Sequence, residues 1–375
     1  MNRALMKVTH VFWSLGYGGI ESMLVNIANE QSKMGASVSI VIINDFCVKE
    51  LLCSLADQVL LVMIGRRSGS KSLSFIGRFN KELDKLQPDV IHLHDSTLYN
   101  FLNSSWRKSK SCVVCSTLHA MPDGVGGVAW SIGRLVQHML LHQGGNVMNL
   151  NRVQHVFSIS CAVARALKDE YGIASIVVKN GIYTDRFLKR ERVMAKDVFK
   201  IIQVGRLVIE EKGQDLLIEA VGKLNTLGLK CHVDFIGDGK SRNMLESLSK
   251  KLGLSDLVSF CGIQSQTYLM EHLRDYDLFV QPSRNEGFGL TVAEAMSAQV
   301  PVLVSSGQGP EEVTEGERYG WVFESGNVDS LAMRIKHIYL HYALCLEKVD
   351  AAHEYVSKNY DVRITARNYL DSYRD

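Results

Sequence analysis

Two carboxylates and two glycines follow an apolar run in the segment SRNEGFGLTVAEA, residues 283–295. Glu286 begins a predicted loop in which Gly287 and Gly289 allow the backbone to approach a ligand closely. A helix is predicted to follow, and its free N–H groups and positive dipole end favour an anion, most simply a phosphate. Glu294 lies about one turn inside that helix, so the two carboxylates can accept hydrogen bonds from different parts of one extended ligand. The alternative is a glycine-rich turn with acids near the start of the helix.

The spacing from Glu286 to Glu294 resembles the E-x7-E motif of glycosyltransferase family four, the retaining enzymes of GT-B architecture. Further motifs occur in the order of that family: GYGGIE, DVIHLH, TLH, VKNGIYTDRF, VGRLVIEEKG, FIGDG, FCG and GPEEV. The resemblance implies two Rossmann-like domains facing a central cleft and transfer of a sugar from a nucleotide-diphosphate donor. It also implies that Glu286 holds the sugar, that Glu294 holds the ribose, and that the loop between them, with Phe288 and Leu290, borders the donor.

Arg206 and Lys212 lie in the segment VGRLVIEEKG, directly after a predicted strand. Fixed Arg and Lys donors can stabilise the negative charge that develops on a departing nucleotide diphosphate without a metal ion, and the resemblance implies this role for both. The spacing is one residue longer than the commonest form of the motif, with Glu210 or Glu211 being the extra residue. A solvated charged turn is the alternative.

The resemblance implies roles for five further residues. Gly18 and Gly19 open a helix beside the donor pyrophosphate and the acceptor, and Asn180 faces the cleft. His119 ends a strand and either hydrogen-bonds the transferred sugar or stabilises charge near the reacting centre. The backbone around Ile263 borders the base. Taken alone, the glycines and Asn180 are equally consistent with tight turns, and a histidine at a strand end is usually structural.

Short, continuously apolar runs alternate with helical patterns along the chain, which indicates βαβ units and parallel sheets. The chain has 375 residues, whereas single cores stop growing near ~250 to 300 residues. A charged stretch, KRERVMAKD, separates two α/β series. We therefore predict an acceptor-side domain over residues 1–190 and a nucleotide-sugar-binding domain over 191–360. The resemblance adds a helix over 361–375 that crosses back to the first domain.

Composition places the protein among ordinary globular chains, with 46% hydrophobic and 22% charged residues. The eight cysteines mostly lie in apolar runs, which favours free thiols in a reducing compartment. No segment approaches the ~18 apolar residues of a membrane span, and no signal peptide is evident. We expect a cytoplasmic protein without a cofactor. Its expected partners are a nucleotide sugar and a saccharide or lipid-linked acceptor, and not a nucleic acid.

Charge is distributed unevenly, since residues 1–190 carry a formal net charge of +8 and residues 191–375 carry −6. Two basic clusters and one amphipathic pattern lie in the first half: Arg66 with Arg67, Arg107 with Lys108 and Lys110, and residues 128–141. They suggest a peripheral contact with an anionic membrane that carries a lipid-linked acceptor. The alternative is that the two halves differ in charge by chance.

Three patterns look like metal sites but do not complete one. His92 and His94 share one strand face and lack a third ligand, while Cys112 and Cys115 lack a second pair. Residues 275–277 spell the D-x-D string of metal-dependent glycosyltransferases, but they precede a strand, whereas ligands bind beyond the carboxyl ends of parallel strands. We therefore predict metal-independent transfer and no metal ligands.

Three other functions stay open at this point. A nucleotide-sugar epimerase or an inverting transferase of the same architecture would form nucleotide or an epimer without an acceptor. An NAD-dependent dehydrogenase would use Asp45 to bind ribose, but Glu21 stands where its phosphate-binding fingerprint requires a third glycine. A non-catalytic binding module would not need the cationic and acidic residues named above.

Overall fold

The computed structural model describes three stretches of the chain: residues 5–122, 146–190 and 198–374. The chain divides into two compact units: residues 1–181 with 362–375, and residues 182–361. The division falls at Gly181, whereas the sequence predicted a boundary near residue 190. Hydrogen bonds hold the intervening residues in the second unit, because Ile182 N–H donates to the Tyr360 carbonyl at 2.9 Å. The Thr184 hydroxyl likewise donates to the Asp361 carboxylate at 3.0 Å.

The first unit is built on a parallel sheet. Its strands are β1 (Lys7–Phe12), β2 (Ser37–Asn44), β3 (Leu60–Arg66), β4 (Val90–Leu93), β5 (Val113–Leu118), β6 (His155–Ser158) and β7 (Ile176–Val177). They lie in the order β3-β2-β1-β4-β5-β6-β7. The α-helices of this unit are α1 (Gly19–Lys33), α2 (Lys49–Ser54), α3 (Phe75–Leu86), α4 (Ser104–Arg107), α5 (Cys161–Tyr171) and the C-terminal helix Val362–Ser372.

Helices cover both faces of this sheet, which explains the continuously apolar strands. Side chains of β2 alternate between two core clusters, since Val41 and Ile43 pack in the cluster that contains Phe79 of α3. Ile40 and Ile42 pack in the cluster that contains residues of α1. The C-terminal helix packs beside α1 on the latter side of the unit.

The second unit repeats the architecture. Its strands are β8 (Phe199–Val204), β9 (Cys231–Ile236), β10 (Val258–Gly262), β11 (Leu278–Gln281), β12 (Val302–Ser305) and β13 (Trp321–Phe323). Its helices are α6 (Ile209–Lys212), α7 (Gln214–Thr226), α8 (Arg242–Lys251), α9 (Gln266–His272), α10 (Leu290–Ser297), α11 (Gly309–Val313), α12 (Val328–Leu340) and α13 (Tyr342–Asn359). The parallel strands lie in the order β10-β9-β8-β11-β12-β13, which is the doubly wound Rossmann order.

The predicted pair of doubly wound α/β domains is therefore confirmed. In each unit the strand order reverses beside the first strand, between β1 and β4 and between β8 and β11. Ligands of such sheets bind beyond the carboxyl ends of the strands at this switch point. Within the described residues, no helix is both long and apolar enough to cross a bilayer. The predicted amphipathic segment 128–141 lies outside them.

Candidate active site

The switch point of the second unit gathers most of the predicted donor residues. Arg206 follows β8, and the loop that begins at Glu286 follows β11, the strand paired with β8. Lys212 ends the short helix α6. An ion pair between the Lys212 ammonium and the Glu286 carboxylate joins the two loops, with 15% and 18% of the side chains exposed. Two residues that the sequence predicted for the donor site, Lys212 and Glu286, are therefore in contact in the structure.

Two glutamines complete the surroundings of Glu286. The amide nitrogen of Gln281 lies 3.3 Å from the same carboxylate oxygen. The backbone N–H of Glu286 donates to the Gln308 side-chain oxygen at 2.9 Å. Neither glutamine was among the predicted site residues, because no charge or glycine spacing singles them out. Together these contacts fix the carboxylate beside a cation and an amide donor.

The extra residue in VGRLVIEEKG is absorbed by one helical turn, Ile209–Lys212. Gly213 then adopts a left-handed conformation at φ 63°, and a Cβ atom there would lie 2.0 Å from the carbonyl oxygen of Pro282. Only glycine fits such a position. The turn packs against the loop after β11, and Lys212 therefore contacts Glu286 despite the longer spacing.

Arg206 does not join the Lys212 and Glu286 pair. Its side chain is 67% exposed, and Nη2 lies 2.8 Å from Glu211 Oε2. Such an exposed pair contributes little to stability. The guanidinium can therefore exchange Glu211 for an anionic ligand at small cost.

The glycine-rich loop is held by close backbone packing. Gly289 has φ 103° and precedes α10. A Cβ atom on Gly309 would lie 2.4 Å from the carbonyl of Gly287 and the nitrogen of Phe288. The Phe288 side chain is buried and meets the Tyr360 ring edge-on at 5.6 Å. Phe288 can thus offer a ligand only its backbone.

Glu294 is buried on α10, and Gln266 Nε2 donates to its carboxylate at 2.8 Å. Burial raises the pKa of Glu294 to about 7, and the hydrogen bond from Gln266 opposes part of this effect. A buried carboxyl group with a strongly shifted pKa is typical of a ligand site. Ile263 follows β10 and is 52% exposed.

We expect Glu294→Gln to stabilise the protein without ligand. Because folding raises the pKa of this carboxyl, the free energy of unfolding falls as pH rises from about 4.5 to about 7. Glutamine removes the buried charge, so the gain at pH 8 should be roughly 3 kcal/mol and should disappear near pH 4. Urea denaturation at both pH values measures it. The exposed control Glu347→Gln should change neither value, and an unchanged stability of Glu294→Gln at pH 8 would refute the burial argument.

In the first unit, Gly18 is the N-cap of α1 and Gly19 its first residue. A Cβ atom on Gly18 would lie 2.3 Å from a carboxylate oxygen of Glu21, so a larger residue there would require only that this side chain move. A carboxylate at this helix start opposes an anion, so contact of this loop with a donor pyrophosphate stays a prediction. Asn180 is buried, and its Oδ1 has no hydrogen-bond partner among the described residues.

His119 follows β5 and belongs to a cluster of four histidines. His94 Nδ1 lies 3.0 Å from His119 Nε2, and His94 Nε2 lies 3.0 Å from His10 Nδ1. His92 stacks on His94 with ring centroids 4.3 Å apart. The sequence reasoning missed His10, which the sheet register places opposite His92.

The histidine cluster supplies the third histidine that the sequence pattern lacked, since ligand atoms of His10, His92 and His94 lie within 4.8 Å of one another. Their nitrogens already bond to protein groups, including Tyr373 at 2.6 Å and Thr117 at 2.7 Å from His92. A metal ion would have to displace these bonds.

A pocket of about 570 Å³ adjoins His119 in the first unit. Aromatic and polar side chains line it together, among them Phe12, Trp13, Phe101, His94, Asp95 and Asn100. Aromatic faces beside hydroxyl-binding groups suit a saccharide, which has both apolar and polar faces. Trp13 Nε1 donates to Asp95 Oδ2 at 2.8 Å and fixes the wall of this pocket.

The other two patterns resembling metal sites have structural partners. Asp277 pairs with Arg190 and accepts from the Lys200 N–H at 2.7 Å, at the start of β11. Asp275 Oδ2 lies 2.9 Å from His272 Nδ1. Burial raises the pKa of the Cys112 thiol to about 12, so this cysteine stays protonated near neutral pH.

The chain is similar to known glycosyltransferases in both sequence and fold. Residues 17–186 match the family model Glycosyltransferase Family 4, and residues 185–355 match Glycosyl transferases group 1. The lipopolysaccharide core biosynthesis glycosyltransferase LpsE of Rhizobium meliloti is 29% identical over 181 residues, 48% of this chain and 51% of that protein. An uncharacterized glycosyltransferase of Methanocaldococcus jannaschii is 27% identical over 310 residues, 76% of this chain and 75% of that protein. Anabaena HepE, solved in complex with UDP-glucose, has the same fold, with a TM-score of 0.79 at 18% identity over 98% of this chain and 99% of that chain.

Proposed function

Because the chain belongs to the family-four glycosyltransferases of GT-B architecture, we propose that it transfers a sugar from a nucleotide-diphosphate donor to a saccharide or lipid-linked acceptor, with retention of anomeric configuration. The observation that carries this proposal is the switch point of the second unit. There a cation, an acid and a glycine-rich loop that starts a helix lie beyond two neighbouring strands. Such a site suits an anionic ligand that also carries hydroxyl groups.

We assign each group by its chemistry. Arg206 and Lys212 hold the diphosphate and stabilise the charge that develops when the nucleotide leaves. Glu286 accepts hydrogen bonds from the sugar, and Glu294 accepts them from the ribose. The backbone around Ile263, a residue that is 52% exposed, borders the base. The buried Glu294 must be ionised to accept two hydrogen bonds, so donor affinity should rise with pH through about 7.

A donor screen tests the proposal. UDP, GDP and ADP sugars are added separately, thermal shift identifies the ligand, and hydrolysis of that donor is then measured. HepE was solved with UDP-glucose, so UDP sugars are the first choice. We expect one nucleotide class to raise the unfolding temperature and Glu294→Gln to lose that rise. If no nucleotide sugar stabilises the wild type, the assignment fails.

The stereochemical outcome separates the proposal from its rivals. A retaining transferase gives a product with the donor's anomeric configuration, which proton NMR of the product reads directly. An inverting enzyme gives the opposite anomer, and an epimerase consumes donor without any acceptor. LpsE, the reported relative named for lipopolysaccharide core biosynthesis, supports a saccharide acceptor in cell-surface polysaccharide synthesis.

Transfer is expected to need no divalent metal. Both carboxylates of the D-x-D string have structural partners, and Asp277 lies at the end of β11 opposite to Glu286. Arg206, Lys212 and the start of α10 supply positive charge instead. Turnover should survive excess EDTA and survive Asp275→Asn. Loss of activity in EDTA with recovery in manganese or magnesium would overturn this expectation.

Peripheral membrane contact is a second part of the proposal. Arg66 lies over the Trp13 ring and Arg107 over the Tyr99 ring, and both are half-buried, whereas Arg67, Lys108 and Lys110 are exposed. We expect weak co-sedimentation with anionic liposomes that salt abolishes. Neutral liposomes are the control. Absence of binding at ~50 mM salt, where screening is modest, would end the idea.

A further inference from the structure

A line of hydrogen bonds crosses the first unit from Gln31 to His119. The amide oxygen of Gln31 lies 2.8 Å from His10 Nε2. His10 Nδ1 lies 3.0 Å from His94 Nε2, and His94 Nδ1 lies 3.0 Å from His119 Nε2. The last nitrogen, His119 Nδ1, is buried and has no hydrogen-bond partner among the described residues.

The three rings are neutral at physiological pH. Burial lowers the pKa of His10 to about 4 and that of His119 to about 3. Burial and the neighbouring histidines also hold the pKa of His94 well below its usual value. A neutral imidazole carries one N–H and one bare nitrogen, so each ring can donate on only one side.

This restriction gives the line a direction. The Gln31 oxygen can only accept, so His10 carries its proton on Nε2 and presents a bare Nδ1. His94 must then donate from Nε2, which leaves its Nδ1 bare for His119. His119 in turn donates from Nε2. Its Nδ1 is left as an unpaired acceptor, which costs free energy until a donor arrives.

We propose that Gln31, through His10 and His94, holds the proton of His119 on Nε2, so that Nδ1 accepts a hydrogen bond from a hydroxyl group of a saccharide in the adjoining pocket. This rests on the proposed function for the identity of the ligand. Gln31, His10 and His94 are positioning residues, since they act only through His119. If the Gln31 amide had the reversed orientation, each of the three rings would carry its proton on the other nitrogen, and His119 Nδ1 would be a donor.

The fourth histidine provides a matched control. His92 bonds to Thr117 at 2.7 Å, and the Thr117 hydroxyl lies 3.2 Å from the Tyr369 hydroxyl. These hydrogen bonds lie beside the line from Gln31 to His119, because His92 stacks on His94, but they are not part of it. Tyr369→Phe removes one buried hydroxyl there and leaves the line from Gln31 to His119 intact.

The test is long-range nitrogen–proton NMR of the full chain labelled with 15N-histidine, first without any substrate. We expect His119 Nδ1 to be unprotonated in the wild type and in Tyr369→Phe. Gln31→Met removes the acceptor at the start of the line and should give a mixture of tautomers. Should Gln31→Met fold poorly, His10→Met breaks the line at the next ring and takes its place.

Kinetics then test the ligand. Gln31→Met should lower kcat/KM for one saccharide substrate by about three- to tenfold, the scale of one neutral hydrogen bond. Separate donor and acceptor titrations show whose hydroxyl is bound, and Tyr369→Phe should match the wild type in both. A protonated Nδ1 in the resting protein overturns the proposed direction. If the His119 tautomer is unchanged in Gln31→Met, Gln31 does not set it. If the tautomer changes but the kinetics do not, His119 Nδ1 does not bind a saccharide hydroxyl. If the wild type transfers no sugar, the NMR result stands and only the proposed function fails.

Discussion

Replacing Arg206 with alanine is expected to lower kcat by roughly 10²- to 10³-fold, the effect of losing one preorganised donor at a developing charge. The side chain is 67% exposed and pairs with Glu211, so its removal costs little stability. The loss should appear in kcat, because charge on the diphosphate is greatest when the bond to the sugar breaks. Steady-state kinetics and thermal unfolding measure both effects.

Arg318→Ala is the matched control for Arg206. Arg318 is 69% exposed and pairs with Glu315 in the same unit. Both variants remove an exposed ion pair, but only Arg206 follows a strand at the switch point. We expect Arg318→Ala to retain full activity. Activity of Arg206→Ala within threefold of the wild type would exclude Arg206 from the mechanism.

Gly309→Ala is expected to have the second large effect, because it displaces the loop that carries Glu286. An added Cβ atom would lie 2.4 Å from the backbone of Gly287, and real Cβ atoms do not come so close. The Gly309 N–H also donates to the Glu286 carbonyl at 2.9 Å. A displacement of about 1 Å at a reacting group can cost 10²-fold, so kcat/KM for the donor should fall on that scale.

Gly77→Ala provides the control for this change. Gly77 lies within α3, where an added Cβ atom would have nothing within 4 Å apart from its chain neighbours and the backbone of its own helix. Alanine there should be neutral or stabilising by up to about 1 kcal/mol. If Gly309→Ala keeps the donor kinetics of the wild type, the loop does not depend on this contact.

The sequence predicted the layers of the fold because its strands are buried on both faces. Residues 40–43 of β2, IVII, are consecutively apolar, and a sheet covered by helices on both faces can bury such a run. The strands β6, β7 and β13 escaped prediction. Two of them, β7 and β13, have only two and three residues, too few for any period to show.

Site residues were predictable where they lie in one continuous segment of the sequence. The loop from Glu286 to Gly289 is one continuous segment, whereas the meeting of Lys212 with Glu286 depends on a helical turn. His10 looked like part of an apolar strand, and only the register of β1 against β4 places it beside His92. Sequence also cannot show that Arg66 lies over an aromatic ring.

In the proposed reaction, a sugar leaves a nucleotide diphosphate and is joined to an acceptor. The most direct measurement is the yield of free nucleoside diphosphate and of glycosylated acceptor in the same reaction, with the donor selected by thermal shift. We predict one product molecule for each nucleotide released and a 10²- to 10³-fold slower formation of both in Arg206→Ala. Consumption of donor with an epimer as product, or binding of donor with neither product formed, would contradict the account.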